Sequence, residues 1–131
     1  MKRVAALVVL LALPGCTKTR VRKGNPMKLN ICGQKTIVNP SNKEIREALT
    51  GLDTKSGDAF VILGPTDMTY IQASGDKNVG FCLEYQESST DKHFRAKNEA
   101  LPLSDVVEAF TAYRAGDAGF KDKLDFRRVT W

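Results

Sequence analysis

A succession of short strand-like segments between residues 58 and 97, separated by polar turns, constrains the fold most. Residues 79–86 show the pattern most clearly, because hydrophobic and polar side chains alternate along them. Alternate residues of a strand point to opposite faces. One face of this strand therefore carries Phe81, Leu83 and Tyr85, and the other carries Cys82, Glu84 and Gln86.

Similar segments precede and follow this strand. We expect strands over 59–63, 68–73 and 92–97 as well, joined by turns at 64–67, 74–78 and 87–91. In the first turn, Pro65 sets the backbone angle that a turn requires at its first central position. Short connections between successive strands are typical of antiparallel pairing. The sequence therefore predicts an antiparallel meander.

Two amphipathic helices flank the meander. Ser41 and Glu44 form a capping box, in which each side chain accepts a hydrogen bond from the backbone of the other. Apolar residues at helical spacing follow it, namely Ile45, Ala48, Leu49 and Leu52. We expect Ser104 to cap the second helix, Val106, Phe110 and Tyr113 to lie on its apolar face, and Gly116 to end it.

The two ends of the domain complete the predicted order. Residues 27–38 form one strand or a tight hairpin that turns at Gly33-Gln34, and residues 125–131 form a terminal strand after a helical turn over 120–124. The predicted order is β-α-β-β-β-β-α-β. An α+β domain follows, with both helices packed on one face of the sheet.

The first sixteen residues predict export rather than a further structural element. Basic Lys2 and Arg3 precede an apolar run over 4–13, and Pro14-Gly15-Cys16 follows. This pattern is typical of a secretory signal peptide, and the run is too short for a bilayer span of about 20 residues. The cysteine after Gly15 resembles the lipobox of bacterial lipoproteins. We expect residues 1–15 to be removed and Cys16 to be lipidated.

Lipidated Cys16 would anchor the chain in the cell membrane or the outer membrane, facing the periplasm. Residues 16–27 form a basic tether beside anionic head groups. Residues 17–27 extend about 35–40 Å at most, so the domain over 28–131 would stay near the lipid. The alternative is translation from Met27, which would make the protein cytoplasmic.

The charge distribution argues against a nucleic-acid partner. The formal net charge is +5, but much of the basic excess lies in the signal segment and the tether. From residue 29 onward the chain has 13 basic and 15 acidic residues. A domain without a basic excess lacks the usual electrostatic basis of phosphate binding.

The cysteines and the single histidine suggest no metal site. With Cys16 lipidated, Cys32 and Cys82 either form a disulfide or are two small packed residues, and we favour packing. Neither has a metal-ligand partner near it in sequence. His93 has no catalytic partner at a recognisable spacing, so we expect no enzyme and no cofactor. A small hydrolase that uses His93 and Glu84 is the weakest alternative.

A polar strand face is the candidate binding surface. Tyr70 and Gln72 share one face of their strand, and Glu84 and Gln86 share one face of the next. If the helices cover the opposite face, we expect Glu84 and Gln86 to point toward solvent and to contact a protein partner with Tyr70 and Gln72. We expect Trp131 to pack at the edge of the core, with an exposed aromatic anchor as the alternative.

Several short segments carry a resemblance to known proteins. Asn39-Pro40 precedes the first helix, residues 60–63, 68–72 and 80–86 form the meander, and the helix over 103–113 leads to Trp131. Over residues 28–131 the chain resembles a group of small bacterial proteins of unknown function and, more distantly, the first-described immunity-protein family of polymorphic toxin systems. The resemblance implies a non-enzymatic protein that neutralises a toxin. A structural envelope lipoprotein without a toxin partner is the alternative.

Overall fold

A seven-stranded antiparallel sheet forms the centre of the molecule, which a computed structural model describes over residues 25–131. The strands are β1 (Lys28–Ile31), β2 (Lys35–Val38), β3 (Phe60–Thr66), β4 (Thr69–Asp76), β5 (Gly80–Glu87), β6 (His93–Ala96) and β7 (Phe126–Arg128). They lie side by side in the order β2-β1-β3-β4-β5-β6-β7. The predicted signal segment and Cys16 lie outside the described residues.

Three helices connect the strands. They are α1 (Asn42–Thr50), α2 (Leu103–Arg114) and the short α3 (Phe120–Lys123). The predicted capping box begins α1, since the Ser41 hydroxyl accepts from the Glu44 backbone at 3.1 Å and the Glu44 carboxylate accepts from the Ser41 backbone at 2.9 Å. Within residues 25–131 no helix has the length and apolar character needed to cross a bilayer.

The helices pack on one face of the sheet. Both α1 and α2 contact the central strands, and their apolar stripes bury Ile45 and Leu49 from α1 and Val106 and Phe110 from α2. The sheet contributes fully buried side chains from the matching alternate positions, which include Leu29, Val61, Leu63, Ile71, Phe81 and Leu83. The predicted α+β architecture, an antiparallel meander with the helices on one face, is confirmed.

The observed order differs in detail from the predicted one at the first strand and at the second helix. Residues 28–38 form the hairpin alternative, with Cys32 and Gly33 at positive φ in the turn. The helical turn expected over residues 120–124 is present as α3. Ser104 does not cap α2, because the helix already begins at Leu103 after Pro102, whose carbonyl accepts from the backbone N–H of Asp105 and Val106.

The disulfide alternative is wrong, because Cys32 and Cys82 are both free. The Cys32 backbone N–H donates to the Phe60 carbonyl beside β3, whereas Cys82 lies on β5. Strands β3 and β4 therefore separate the two cysteines. At about 4.8 Å per strand they are about 14 Å apart, well beyond the roughly 7 Å that a disulfide tolerates between Cα atoms.

Candidate partner-binding face

The face of the sheet opposite the helices, here called the open face, carries two adjoining rows of side chains. The register of the strands aligns the longer row across the sheet as Asn30, Ile62, Gln72, Glu84, Arg95 and Arg127. The shorter row aligns Tyr70, Gln86 and His93. Tyr70, Gln72, Glu84 and Gln86, the four residues named from sequence, therefore lie on one surface.

His93 joins these residues at the centre of a hydrogen-bonded network. Its Nε2 lies 2.6 Å from Glu84 Oε1, and its Nδ1 lies 3.0 Å from Gln86 Oε1. The Gln86 amide nitrogen donates to the Met68 carbonyl at 3.1 Å, which fixes the orientation of the amide. Although no helix covers this face, His93 and Gln86 are each only 4% exposed.

Both ring nitrogens of His93 face acceptor oxygens. A neutral imidazole has one N–H group and donates one such bond, whereas the imidazolium form donates both. In either form, neither nitrogen is open to a further group while the two contacts are made. The arrangement holds the ring in place between two strands.

Glu84 links His93 to Arg95. While Oε1 contacts the histidine, Glu84 Oε2 accepts from Arg95 Nε at 3.1 Å. The nearby carboxylate raises the pKa of the Arg95 guanidinium. The pKa values of the Tyr70 phenol and the Cys82 thiol are also raised. Burial is the larger cause in both cases, and the negative charge of Glu84 is the second. The Cys82 thiol is therefore less nucleophilic than an exposed cysteine, because the thiolate is the reactive form.

Two aromatic rings shield the histidine from solvent. The Tyr70 ring lies edge-on with its centroid 6.3 Å from that of His93, and the Trp131 ring lies at 5.4 Å. Trp131 Nε1 donates to the Thr90 carbonyl at 3.2 Å, and the Val129 backbone donates to the His93 carbonyl at 2.8 Å. Trp131 remains 80% exposed beside the network, so it does not pack at the edge of the core as expected.

A shallow groove of about 660 Å³ adjoins the network on the same face. Phe60 and Ile62 supply apolar surface, and Lys28, Tyr70 and Gln72 contribute polar groups. The residues named from sequence therefore divide into two pairs. Tyr70 and Gln72 line the groove, while Glu84 and Gln86 belong to the network.

One part of the sequence-based expectation is wrong. Glu84 and Gln86 do point away from the helices, but they do not extend freely into solvent. The Gln86 side chain is buried by His93 and Met68, which contact it directly. Glu84 is largely covered as well, with its side chain 15% exposed.

His93 and Arg95 were missed as members of this surface. They occupy alternate positions on β6, which pairs with β5 so that Arg95 lies opposite Glu84 and His93 opposite Gln86. The alternation of residues 92–97 places His93 and Arg95 on one face. The register itself was the missing information, because it depends on the conformation of the connection over residues 88–92.

Comparisons with known proteins found no relative of this chain. No protein-family model matches the chain, and neither a curated protein nor a solved structure matches it. Among residues 25–131 there is also no group of three or more His, Cys, Asp or Glu side chains placed to hold a metal ion.

Proposed function

We propose that this protein is a non-enzymatic binding protein, held at the cell envelope by lipidated Cys16, and that its open face binds another protein. One observation carries the proposal. The helices cover only one face of the sheet, whereas the other face presents a groove beside polar groups that are already held in place by hydrogen bonds.

The state of the polar groups supports binding over catalysis. A general base needs an unoccupied nitrogen or carboxylate oxygen within reach of a substrate proton. Both nitrogens of His93 and both oxygens of Glu84 already have partners. Groups held in this way suit recognition, because a rigid surface loses little conformational entropy on association.

An immunity role is the specific form of the proposal, and it rests on the sequence resemblance. It predicts that a toxin is encoded beside this protein and that the two bind tightly. The test is to express each neighbouring effector in cells with the wild-type chain or with a Tyr70→Ala/Gln72→Ala variant. We expect the wild type to protect and the variant to protect less.

The matched control is a Lys43→Ala/Glu47→Ala variant, because that exposed ion pair lies on α1, away from the open face. It should protect as well as the wild type. If deletion of the gene leaves cells indifferent to every neighbouring effector, the immunity role is lost. Crosslinking that recovers only abundant envelope components would then favour a structural lipoprotein.

The anchor is tested separately. Cells labelled with radioactive palmitate should incorporate label into the wild-type chain and not into a Cys16→Ser variant, and globomycin should block processing. Recovery of an unlabelled chain in the cytosol, beginning at Met27, would contradict the envelope location. The binding role of the open face would be unaffected by that result.

A further inference from the structure

We infer that the protein partner contributes an extended segment that joins β2 as an eighth strand of the sheet, at the border of the groove. This inference rests on the proposed function and deepens it, because it names the conformation in which the partner chain binds. Three observations carry it, namely the unpaired outer edge of β2, the residues of that edge, and its position beside the groove.

The outer edge of β2 has backbone hydrogen-bonding groups that no other strand uses. β2 is the first strand in the sheet order, so within residues 25–131 only β1 pairs with it. At one end of this pairing, the Asn39 N–H donates to the Met27 carbonyl at 2.7 Å. Because bonded and non-bonded positions alternate along an antiparallel pair, Thr36 and Val38 direct their N–H and C=O groups away from β1. These four groups are available to a further strand.

The backbone groups select a polypeptide in an extended conformation. An added strand presents N–H donors and C=O acceptors in the same alternation as the edge, so each group of the edge finds its complement. A phosphate or a lipid head group has no such regular series of N–H donors. Strand addition is a general mode of peptide recognition, in which main-chain bonds supply affinity and side-chain contacts supply specificity. The edge therefore specifies the class of partner without reference to charge.

The residues of β2 favour addition at this edge of the sheet over the opposite one. Three consecutive β-branched residues form most of β2, and the side chain of its last residue, Val38, is 55% exposed. The charged residue of β2, Lys35, lies at its start. At the opposite edge, two of the three residues of β7 are the exposed Arg127 and Arg128. Charged side chains are a common protection against edge pairing, so β7 is protected and β2 is available.

The groove adjoins this edge. Thr36 lines it, and the Thr36 hydroxyl accepts from the Asn30 amide of β1 at 3.4 Å. A partner residue opposite Thr36 would lie about 4.8 Å farther out on the open face, at the border of the groove. The next partner residue would lie on the covered face beside Ile37, which already packs against the core. We therefore expect the partner segment to present an apolar side chain to Ile37.

The test uses a random twelve-residue peptide library displayed on phage and panned on the full chain purified in detergent. We expect enriched peptides to contain a run of β-branched or aromatic residues without proline, because such residues favour an extended strand. Synthetic copies should bind Val38→Pro about tenfold to hundredfold more weakly. Proline removes the outward N–H without removing a bond to β1. Val38→Thr keeps this N–H and the branched side chain, and it should bind nearly as tightly as the wild type.

Arg128→Pro is the matched control, because it removes an outward N–H from the opposite edge of the sheet. The Lys97 N–H donates to the Asp125 carbonyl and the Val129 N–H donates to the His93 carbonyl, so the Arg128 N–H points away from β6. This variant should bind the peptides as the wild type does. Urea denaturation of each variant shows whether the fold is retained.

Amide hydrogen exchange, recorded by NMR, tests the same edge without a substitution, so the inference stays testable if Val38→Pro does not fold. In the free chain, the Thr36 and Val38 amides should exchange faster than the Ile37 amide, which is bonded to β1. A bound peptide should slow exchange at Thr36 and Val38 by about tenfold or more. Unchanged exchange at both amides, equal affinity of Val38→Pro and the wild type, or a library that enriches no peptide would overturn the inference.

Three further outcomes separate the inference from the proposed function. If Tyr70→Ala/Gln72→Ala reduces protection against a neighbouring effector and Val38→Pro does not, the open face keeps its role and the eighth strand is wrong. If only Val38→Pro reduces protection, the edge binds the partner and the proposed role of the open face fails instead. If the Thr36 and Val38 amides are protected in the free chain and lose protection on dilution, β2 pairs with a second copy, which would also overturn the inference.

Discussion

The two faces of the sheet exclude water in different ways. The covered face does so with apolar side chains and two helices, so that residues such as Leu83 and Phe110 are fully buried. The open face has no covering element, yet His93 and Gln86 are almost as inaccessible. There the polar groups bury one another and satisfy one another's hydrogen bonds.

This difference separates what holds the fold together from what the surface presents. Apolar burial on the covered face is the main source of folding free energy. A buried hydrogen bond contributes only about 0.5–1.5 kcal/mol, but a buried polar group without its partner costs about 1–3 kcal/mol. The network on the open face therefore adds modest stability and strongly restricts side-chain orientation. The four predictions below test this contrast.

The largest effect is expected on the covered face. Leu83→Ala should lower the free energy of unfolding by about 2–5 kcal/mol, because it leaves a cavity beneath the helices. Ile62→Ala, on the open face, removes a half-buried side chain and should cost clearly less. Urea denaturation measures both. Equal losses would mean that the two faces do not differ as described.

The next largest loss of stability is expected from a substitution in the hydrogen-bonded network. Gln86→Ala leaves the Met68 carbonyl and His93 Nδ1 without their partner and should cost about 1–3 kcal/mol. Gln72→Ala makes the same change on the same face, but the Gln72 side chain has no hydrogen bond within residues 25–131, so the loss should be within about 0.5 kcal/mol. Similar losses for the two variants would show that the network does not stabilise the fold.

The third expected effect is on stability at low pH, and it arises from Asp76 at the turn between β4 and β5. The Asp76 carboxylate accepts hydrogen bonds from the backbone and hydroxyl of Thr54 and from the backbone of Asn78 and Val79, and these bonds hold its pKa well below the usual range. A lowered pKa in the folded state stabilises the fold at neutral pH. That contribution is lost as the pH falls below the ordinary value of about 3.9.

Asp76→Asn removes the titration. We expect the variant to be less stable than the wild type at pH 7 and to lose less stability between pH 5 and pH 2. Thermal unfolding recorded across this range measures how steeply the stability of each protein falls with pH. Parallel curves for the two proteins would contradict the assigned role of the carboxylate, and Asp91→Asn, an exposed aspartate, serves as the control.

The smallest effect is expected at the aromatic cover. Trp131→Ala should lower the free energy of unfolding by less than about 1 kcal/mol, since the ring is mostly exposed and makes one hydrogen bond. The His93 ring resonances should nevertheless shift in NMR spectra, because the indole lies beside the imidazole, with the ring centroids 5.4 Å apart. Unchanged resonances would show that Trp131 does not cover the network in solution.

Local patterns predicted most of the fold. Alternation along residues 79–86 identified β5 and its two faces, and Ser41 with Glu44 identified the start of α1. The first hairpin remained ambiguous because Cys32 occupies a positive-φ position at which asparagine or glycine is expected. The start of α2 was misplaced because Ser104 resembles a cap, whereas Pro102 already directs the chain into the helix.

The candidate site was less predictable than the fold. Its polar strand face followed from the side-chain alternation at Glu84 and Gln86. The contact of Glu84 with His93 and Arg95 did not, because it depends on strand register, which the conformation of the connecting loop determines. A histidine that is isolated in the sequence therefore has a polar partner at each of its ring nitrogens.

The separation of the two free thiols has a practical consequence. Cys32 lies in a surface turn and is partly exposed, whereas Cys82 is partly covered and burial raises the pKa of its thiol. An oxidant cannot join them within one folded molecule. In a chain that carries Cys16→Ser, air oxidation would instead couple separate molecules through Cys32, so non-reducing electrophoresis would show covalent dimers that a further Cys32→Ser change removes.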